Sequence, residues 1–384
     1  MATAVAHNVA ELIDRAAAAD GVREVFAAAS TRLRRLVPFD SAAWLATDPA
    51  TSLPTSPTRV ENMGHFGGHD ACLRLWELEF LVEDVNLYHE LANAPRPAAG
   101  LRASTDDAPA RSTRYREFLE PHGFSDELRA VLRVDGRPWA TLALLRREGK
   151  PAFDADEAAL VAGLSAPLAE AVRAQRARPF TPAGDRGPGL MVFDPGGELL
   201  SLNDDAAAWL DELAGDLDGE TVFGVRLPLV VLGTLMRARA VAAGRDRRTA
   251  RARIRSNASG RWLVCHASCL HDEDGAIGNT ALVIEAATSS EIVPIISEAY
   301  ELSAREREIT QLIARGVGTS DIAGALHLST HTVRDYVKTV FDKVGVRSRG
   351  ELVAKLFAEH YAPLHLDERG VERPDDSASA ARLR

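Results

Sequence analysis

From Val9 to Val37 apolar residues recur at helical spacing, at Leu12, Ile13, Val22, Val25, Phe26, Leu33 and Leu36. Asp20-Gly21 interrupts the run, so the pattern predicts two helices around a break. Further on, ELRAVLRVDGRPWATLALLRR reads as two strands around an Asp-Gly turn, a strong hairpin signal. Asp154 with Glu157 three residues later predicts a capped helix reaching about Gln175, kinked by Pro167. The Pro-, Gly- and charge-rich stretch RARPFTPAGDRGPG ends near Gly189 and marks a domain boundary. Beyond it, GLMVFDPGGELLSLNDDAAAWLDEL predicts strand, turn, strand and a helix capped at Asn203 or Asp204. RTARARIRSNASGRWLVCHASCLHDEDGAIGNTALVIEAA then predicts three strands punctuated by Ser-Gly and Asp-Gly turns. No internal repeat is visible.

The pattern changes after about residue 299. Ser303 and Glu306 form a capping box, and Ile309, Leu312 and Ile313 make the buried stripe of a first helix ended by Gly316 and Gly318. Thr319 or Ser320 is expected to cap a short second helix with an inner face of Ile322, Ala323 and Leu326. A turn through His327 and Leu328 leads to Ser329, the cap of a third helix. On it Val333, Val337, Val340, Phe341 and Val344 recur at spacings of three and four, leaving Arg334, Asp335, Lys338 and Asp342 on the opposite face. Gly345 ends this helix, and a fourth begins near Ser348. Two short helices joined by a tight turn, the second with basic residues on its free face, form the helix-turn-helix pattern. The major groove of DNA admits such a helix.

Composition narrows the class. The 384 residues exceed one ordinary core and suggest two or three domains. With 46% hydrophobic and 26% charged residues, the composition is that of a folded globular protein. Cys72, Cys265 and Cys269 are too few for a disulfide framework. The first twenty residues do not read as a signal peptide, and the longest apolar stretch, Leu227 to Met236, is too short for a membrane span. A cytoplasmic location and no membrane partner follow as expectations.

The net charge of −10 argues against a protein that coats nucleic acid over its whole surface. Between Ser329 and Ala358, however, six basic residues (Arg334, Lys338, Lys343, Arg347, Arg349, Lys355) face three acidic ones (Asp335, Asp342, Glu351). That segment is therefore +3 and the remainder −13. An acidic body with a basic head would repel DNA everywhere but at one end.

The residues from Leu302 to about Leu356 resemble the LuxR-type helix-turn-helix, through LSAREREI, DIAGALHLSTHTV, KVGV and SRGELV. The resemblance implies that Arg334, Asp335 and Lys338 face bases and that Thr332, Lys343 and Arg347 touch the DNA backbone. It also places Thr319 and Ser320 at the start of the helix that crosses that backbone. Asp335 departs from the family, which usually has an uncharged residue there. It could accept from a cytosine amino group or hold Arg334 in place. Residues 189–287 resemble a PAS domain through their GLMVFD opening and GRWLVCHASCL close, and residues 8–178 resemble a GAF domain. The implied architecture is an α+β multidomain chain: two antiparallel-sheet sensory domains, an all-α four-helix head at 299–361 and a disordered tail at 362–384. Implied partners are double-stranded DNA, a second copy of the chain, a small-molecule effector and RNA polymerase.

Competing chemistry is weak. Cys265, His266, Cys269 and His271 lie on a predicted strand, which sends Cys265 and Cys269 to one face and His266 to the other. They read as ordinary strand residues rather than metal ligands. Cys72 sits on an apolar stripe, and His65, His69 and His89 show no partner pattern. No G-x-S-x-G, H-E-x-x-H, P-loop or paired-glycine motif occurs, so neither enzyme activity nor a cofactor is expected. The leading expectation is a DNA-binding transcription regulator. The alternative is a sensory or scaffold protein, or a sensor enzyme, whose terminal helices make protein contacts only.

Overall fold

The computed structural model describes residues 2–63, 69–177, 186–214, 227–353 and 355. Most of the stretch expected as a linker, the segment 215–226 and the expected tail lie outside these residues. Helices α1 (Ala2–Ala17) and α2 (Val22–Leu36) flank the Asp20-Gly21 break, and Gly21 takes a φ of 151° that an L side chain rarely adopts. Strands β1 (Ser41–Thr47) and β2 (Pro54–Glu61) come next. Helix α3 (His69–Phe80), the short α4 (Tyr88–Leu91), β3 (Ala98–Gly100) and the short α5 (Leu101–Ser104) fill the middle. The predicted hairpin is β4 (Phe124–Val134) and β5 (Arg137–Arg147), with positive φ at both Asp135 and Gly136.

The Asp154–Glu157 capping box is present, but the helix it starts is two segments, α6 (Ala155–Gly163) and α7 (Ser165–Ala174). The break falls at Leu164, ahead of Pro167. A proline has no N–H for the carbonyl four residues back, here that of Gly163, and its ring crowds that group.

The second sheet comprises β6 (Gly189–Phe193), β7 (Leu199–Leu202), β8 (Arg251–Arg255), β9 (Trp262–His271) and β10 (Ile277–Ala286). Helix α8 (Asp204–Ala214) is capped by Asn203, whose Oδ1 accepts from the Ala206 N–H at 2.9 Å. The apolar stretch around Leu227 becomes α9 (Leu229–Ala242), buried nearly all round. Both sheets are five-stranded with every pair antiparallel, in the orders β2-β1-β5-β4-β3 and β7-β6-β10-β9-β8.

The two sheet units are joined through one hydrophobic cluster. Leu45, Leu53, Leu73 and Trp76 from the first pack with Leu232, Leu235 and Met236 of α9 and Phe193 of β6. An ion pair between buried Asp48 and half-buried Arg253 reinforces the joint. Asp48 Oδ1 lies 2.6 Å from Arg253 Nη2, and Asp48 Oδ2 accepts from Arg253 Nε and from the Arg253 backbone N–H, both at 2.9 Å. Helix α10 (Ser289–Ala299) leads out of this body, with Ile292 and Ile295 buried. Four helices follow: α11 (Ala304–Ala314), α12 (Thr319–Leu326), α13 (Thr330–Val344) and α14 (Arg349–Val353). On β9, Cys265 is buried, Cys269 half-buried and His266 exposed, the alternation a strand requires.

Candidate nucleic-acid interface

The head is built by local rules. Ser303 Oγ accepts from the Glu306 N–H while Glu306 Oε2 accepts from the Ser303 N–H at 2.6 Å, which fixes the start of α11. Ile309 and Ile313 of α11, Ile322 and Ala323 of α12, and Val333, Val340 and Val344 of α13 are buried together. His327 adopts a left-handed φ of 54° that turns the chain between α12 and α13. Ser329 caps α13, its Oγ accepting from the Thr332 N–H at 3.0 Å, and Gly345 ends it at a φ of 70°. Ser348 Oγ accepts from the Glu351 N–H at 3.1 Å and starts α14.

With Val333, Val340 and Val344 anchoring one face, Arg334, Asp335 and Lys338 stand exposed on the other. Arg334 and Lys338 form no ion pair among the described residues. Asp335 pairs with His331 one turn back, Oδ2 to Nδ1 at 2.9 Å, and not with Arg334. That partner was open to inspection in the sequence, because residues four apart on a helix face each other. Thr332 is half-buried, with its hydroxyl 2.8 Å from that of Ser329. Arg347 is exposed, and its backbone N–H donates to Glu351 Oε2 at 2.7 Å.

Thr319 and Lys343 have partners within the protein, and Ser320 does not cap α12. Neither Thr319 nor Ser320 caps α12; Gly318 holds the capping position and makes no side-chain bond. The Thr319 hydroxyl instead accepts from Arg349 Nη2 at 2.8 Å, and Arg349 Nη1 donates to the Val317 carbonyl at 3.1 Å. Arg349 thus ties α14 to the entrance of α12, a role its sequence neighbourhood does not disclose. Ser320 is exposed beside it. Lys343 donates to Glu306 Oε2 at 2.7 Å and to the Glu301 carbonyl at 2.9 Å, so two of its three N–H donors are engaged within the protein. Burial opposes ionisation of Glu306, but the Lys343 and Ser303 bonds outweigh it and hold the carboxyl below its usual range. Lys355 donates to the Val344 carbonyl at 2.8 Å. Of the six basic residues, Arg334, Lys338 and Arg347 therefore remain exposed with no side-chain bond to described residues.

The head does not hang free. Glu298 on α10 lies 2.7 Å from Arg137 of β5. Arg173 on α7 reaches both Asp135, at 3.1 Å, and Glu301. In the turn after α10, Glu301 takes a left-handed conformation, φ 57°, its N–H donating to the Glu298 carbonyl at 2.9 Å. One continuous hydrophobic cluster includes Leu168 and Val172 of α7, Ile292 and Ile295 of α10, and Leu302 and Ile309 of the head.

Comparison with known proteins addresses this head. Residues 300–356 match the family model described as bacterial regulatory proteins, luxR family. The spore germination protein GerE of Bacillus subtilis is 36% identical over 55 residues, 14% of this chain and 74% of that protein. The transcriptional regulatory protein DesR of Bacillus subtilis is 36% identical over 61 residues, 16% of this chain and 31% of that protein. The probable HTH-type transcriptional regulator GfsR of Streptomyces halstedii is 33% identical over 93 residues, 23% of this chain and 38% of that protein. The chain thus spans about a third of DesR and somewhat more of GfsR. Among the described residues no helix is long and apolar enough to cross a membrane.

Proposed function

The chain belongs to the LuxR family of bacterial regulatory proteins, and from that premise we propose that it regulates transcription by placing α13 in the DNA major groove. The observation that carries the reading is the exposed pair Arg334 and Lys338, one turn apart on α13 and without an ion-pair partner. Arg334 is assigned to a guanine edge, where a guanidinium can donate twice, and Lys338 to the next base or phosphate. Arg347 and the N–H groups at the start of α13 are assigned to phosphates. Lys343 is assigned to the head's own structure, and Thr319 and Arg349 to holding α12 against α14. Asp335, paired to His331, limits which base can approach.

The two sheet units are assigned to control, not catalysis, as GAF-like and PAS-like sensory domains acting from the cytoplasm on a dimer. Their shared strand order and the contacts of Arg137 on β5 and Arg251 on β8 to α10 support that reading. One small head makes few contacts, whereas two heads combine their binding energies on half-sites about one helical turn apart. A small-molecule effector would act by its differential affinity for docked and released heads. Contact with RNA polymerase is the route from bound DNA to altered transcription.

Genome-wide mapping of DNA bound by the full chain tests the reading. Recurrent sites with two-fold symmetric half-sites are expected. Binding without sequence preference, or none, would overturn it and leave the terminal helices as a protein-contact module.

A further inference from the structure

An acidic side chain stands in the middle of the face that α13 turns outward. Asp335 is 67% exposed on its side chain, and His331, one turn earlier, is 84% exposed. A helix turns about 100° per residue, so Asp335 and His331 both lie about 160° from the centre of the buried stripe of Val333, Val340 and Val344. Arg334 lies about 100° from that stripe, on the flank of the helix, and reaches inward with a longer side chain. Asp342 shares the outward face but sits about two turns further along. The amino end is the part of such a helix that meets base edges, which singles out Asp335.

The partners of Asp335 narrow what it can do. Its Oδ2 lies 2.9 Å from His331 Nδ1, and among the described residues it forms no ion pair with Arg334 or Lys338. Holding Arg334 in place is therefore not its role. The bond to His331 ties the carboxylate to the first turns of α13 and leaves Oδ1 with no bond to a described residue. An exposed pair of this kind adds little stability, and a negative charge on a DNA-facing surface repels phosphate. A carboxylate only accepts, so in a docked helix it is favourable opposite a hydrogen-bond donor and unfavourable elsewhere.

The donors in the major groove are the amino groups of cytosine and adenine. Guanine offers two acceptors, and thymine an acceptor and a methyl group, so both are refused. Adenine carries its N7 acceptor beside the amino group, where it opposes the second carboxylate oxygen. Cytosine presents the amino group with no acceptor on its own edge. We infer that Asp335 selects a cytosine in each half-site by accepting from its amino group, with His331 positioning the carboxylate. The inference rests on the placement of α13 in the major groove proposed above and adds the identity of one base.

The experiment selects sites for the full chain from a randomised double-stranded DNA library, then measures affinity for the selected site with each base pair substituted at every position. One cytosine in each half-site is expected, and replacing it should weaken the parent by about tenfold, the scale of a single base contact. The amide of Asp335→Asn matches the amino group and N7 of adenine, so the preference at that position alone should move from cytosine to adenine. Misfolding cannot produce that result, since it weakens every position together. His331→Ala should reduce the cytosine preference by about twofold, and His331→Gln, which keeps a donor four residues from Asp335, should restore it. Equal cytosine preference in the parent and His331→Ala removes His331 from the positioning role. Identical base preferences in the parent and Asp335→Asn overturn the inference while leaving α13 as the reading helix. A parent that selects no base at any position overturns the proposed function, and this inference with it.

Discussion

Arg173, on the last helix of the first sheet unit, reaches the carboxylate of Glu301, the residue at which α10 hands over to the head. Glu301 is held from three directions. Its side chain belongs to the body through Arg173, its carbonyl accepts from Lys343 of α13, and its backbone sits in the left-handed region. Arg173 is buried but Glu301 is 65% exposed, so the pair is open to solvent on the carboxylate side and salt screens it. A change in how α7 presents Arg173 would reach α13 through Glu301 and Lys343. Arg173→Gln should therefore release the head and tighten DNA binding by the full chain at low salt. The expected gain is about fivefold, the low end of ordinary coupling free energies. Titration with salt should narrow the gap, because the Debye length falls to roughly 8 Å near physiological ionic strength. Equal affinity of parent and variant at every salt concentration would assign the body to dimerisation instead.

Arg334→Ala should cost roughly 1–3 kcal/mol of discrimination between the chain's own site and a site altered at one guanine. Competition binding against specific and random DNA decides the matter. Equal weakening on both would make Arg334 a phosphate contact. Lys343→Met removes a charge already engaged by Glu306, so its main effect should appear in the melting of the head and not in the salt slope of binding.

The fold was legible in sequence where its causes are local. The caps at Asp154 and Ser303, the Asp135-Gly136 turn and the valine stripe of α13 involve residues a few positions apart, and each is where the pattern put it. The shared strand order was not legible, because it resides in backbone pairing: β1 pairs with β5 across about a hundred residues. Nor does periodicity say which core an apolar residue enters. Leu73 and Trp76 lie on a helix of the first unit and pack into the core of the second. The head divides the same way. Its helices follow from spacing, whereas the Lys343–Glu306 bond joins residues on different helices and could not be seen beforehand.

The Glu306 carboxyl gives that bond a pH signature. Its folded pKa is depressed below the unfolded value, so its contribution is fully present above the unfolded pKa. It is lost as pH falls through the unfolded value, near 4.5, to the lower folded one. Glu306→Gln preserves the capping acceptor but removes the charge facing Lys343. The parent should therefore lose stability between about pH 5 and 3 more steeply than the variant. Denaturant melts across that range provide the check, and parallel curves would show that the pair contributes nothing.

The joint between the two sheet units makes the last prediction. Gly233 of α9 lies so close to the β1–β2 turn that a Cβ there would meet the Pro54 ring carbons at 2.7 and 2.9 Å. Proline is rigid and Pro54 is buried, so the neighbour has little room to yield. Gly233→Ala must push α9 away from the turn, at about 1–3 kcal/mol for overpacking, partly offset by the better helix propensity of alanine. Nearby, Asp48→Asn leaves the half-buried Arg253 without its counter-charge, which costs less than the roughly 3–5 kcal/mol of a fully buried pair. Both sites bear on the same turn, where Asp48 bonds the Leu53 backbone and a Cβ at Gly233 would meet Leu53 and Pro54, so their effects should be coupled and not simply add in a double variant. The head's own capping and packing are untouched by either change. Hydrogen exchange should therefore show α9 and the β1–β2 turn opening together while the amides of α11 and α13 keep their protection. If α9 loosens and the turn stays protected, the two units do not open as one body. The contact at Gly233 would then be packing without mechanical consequence.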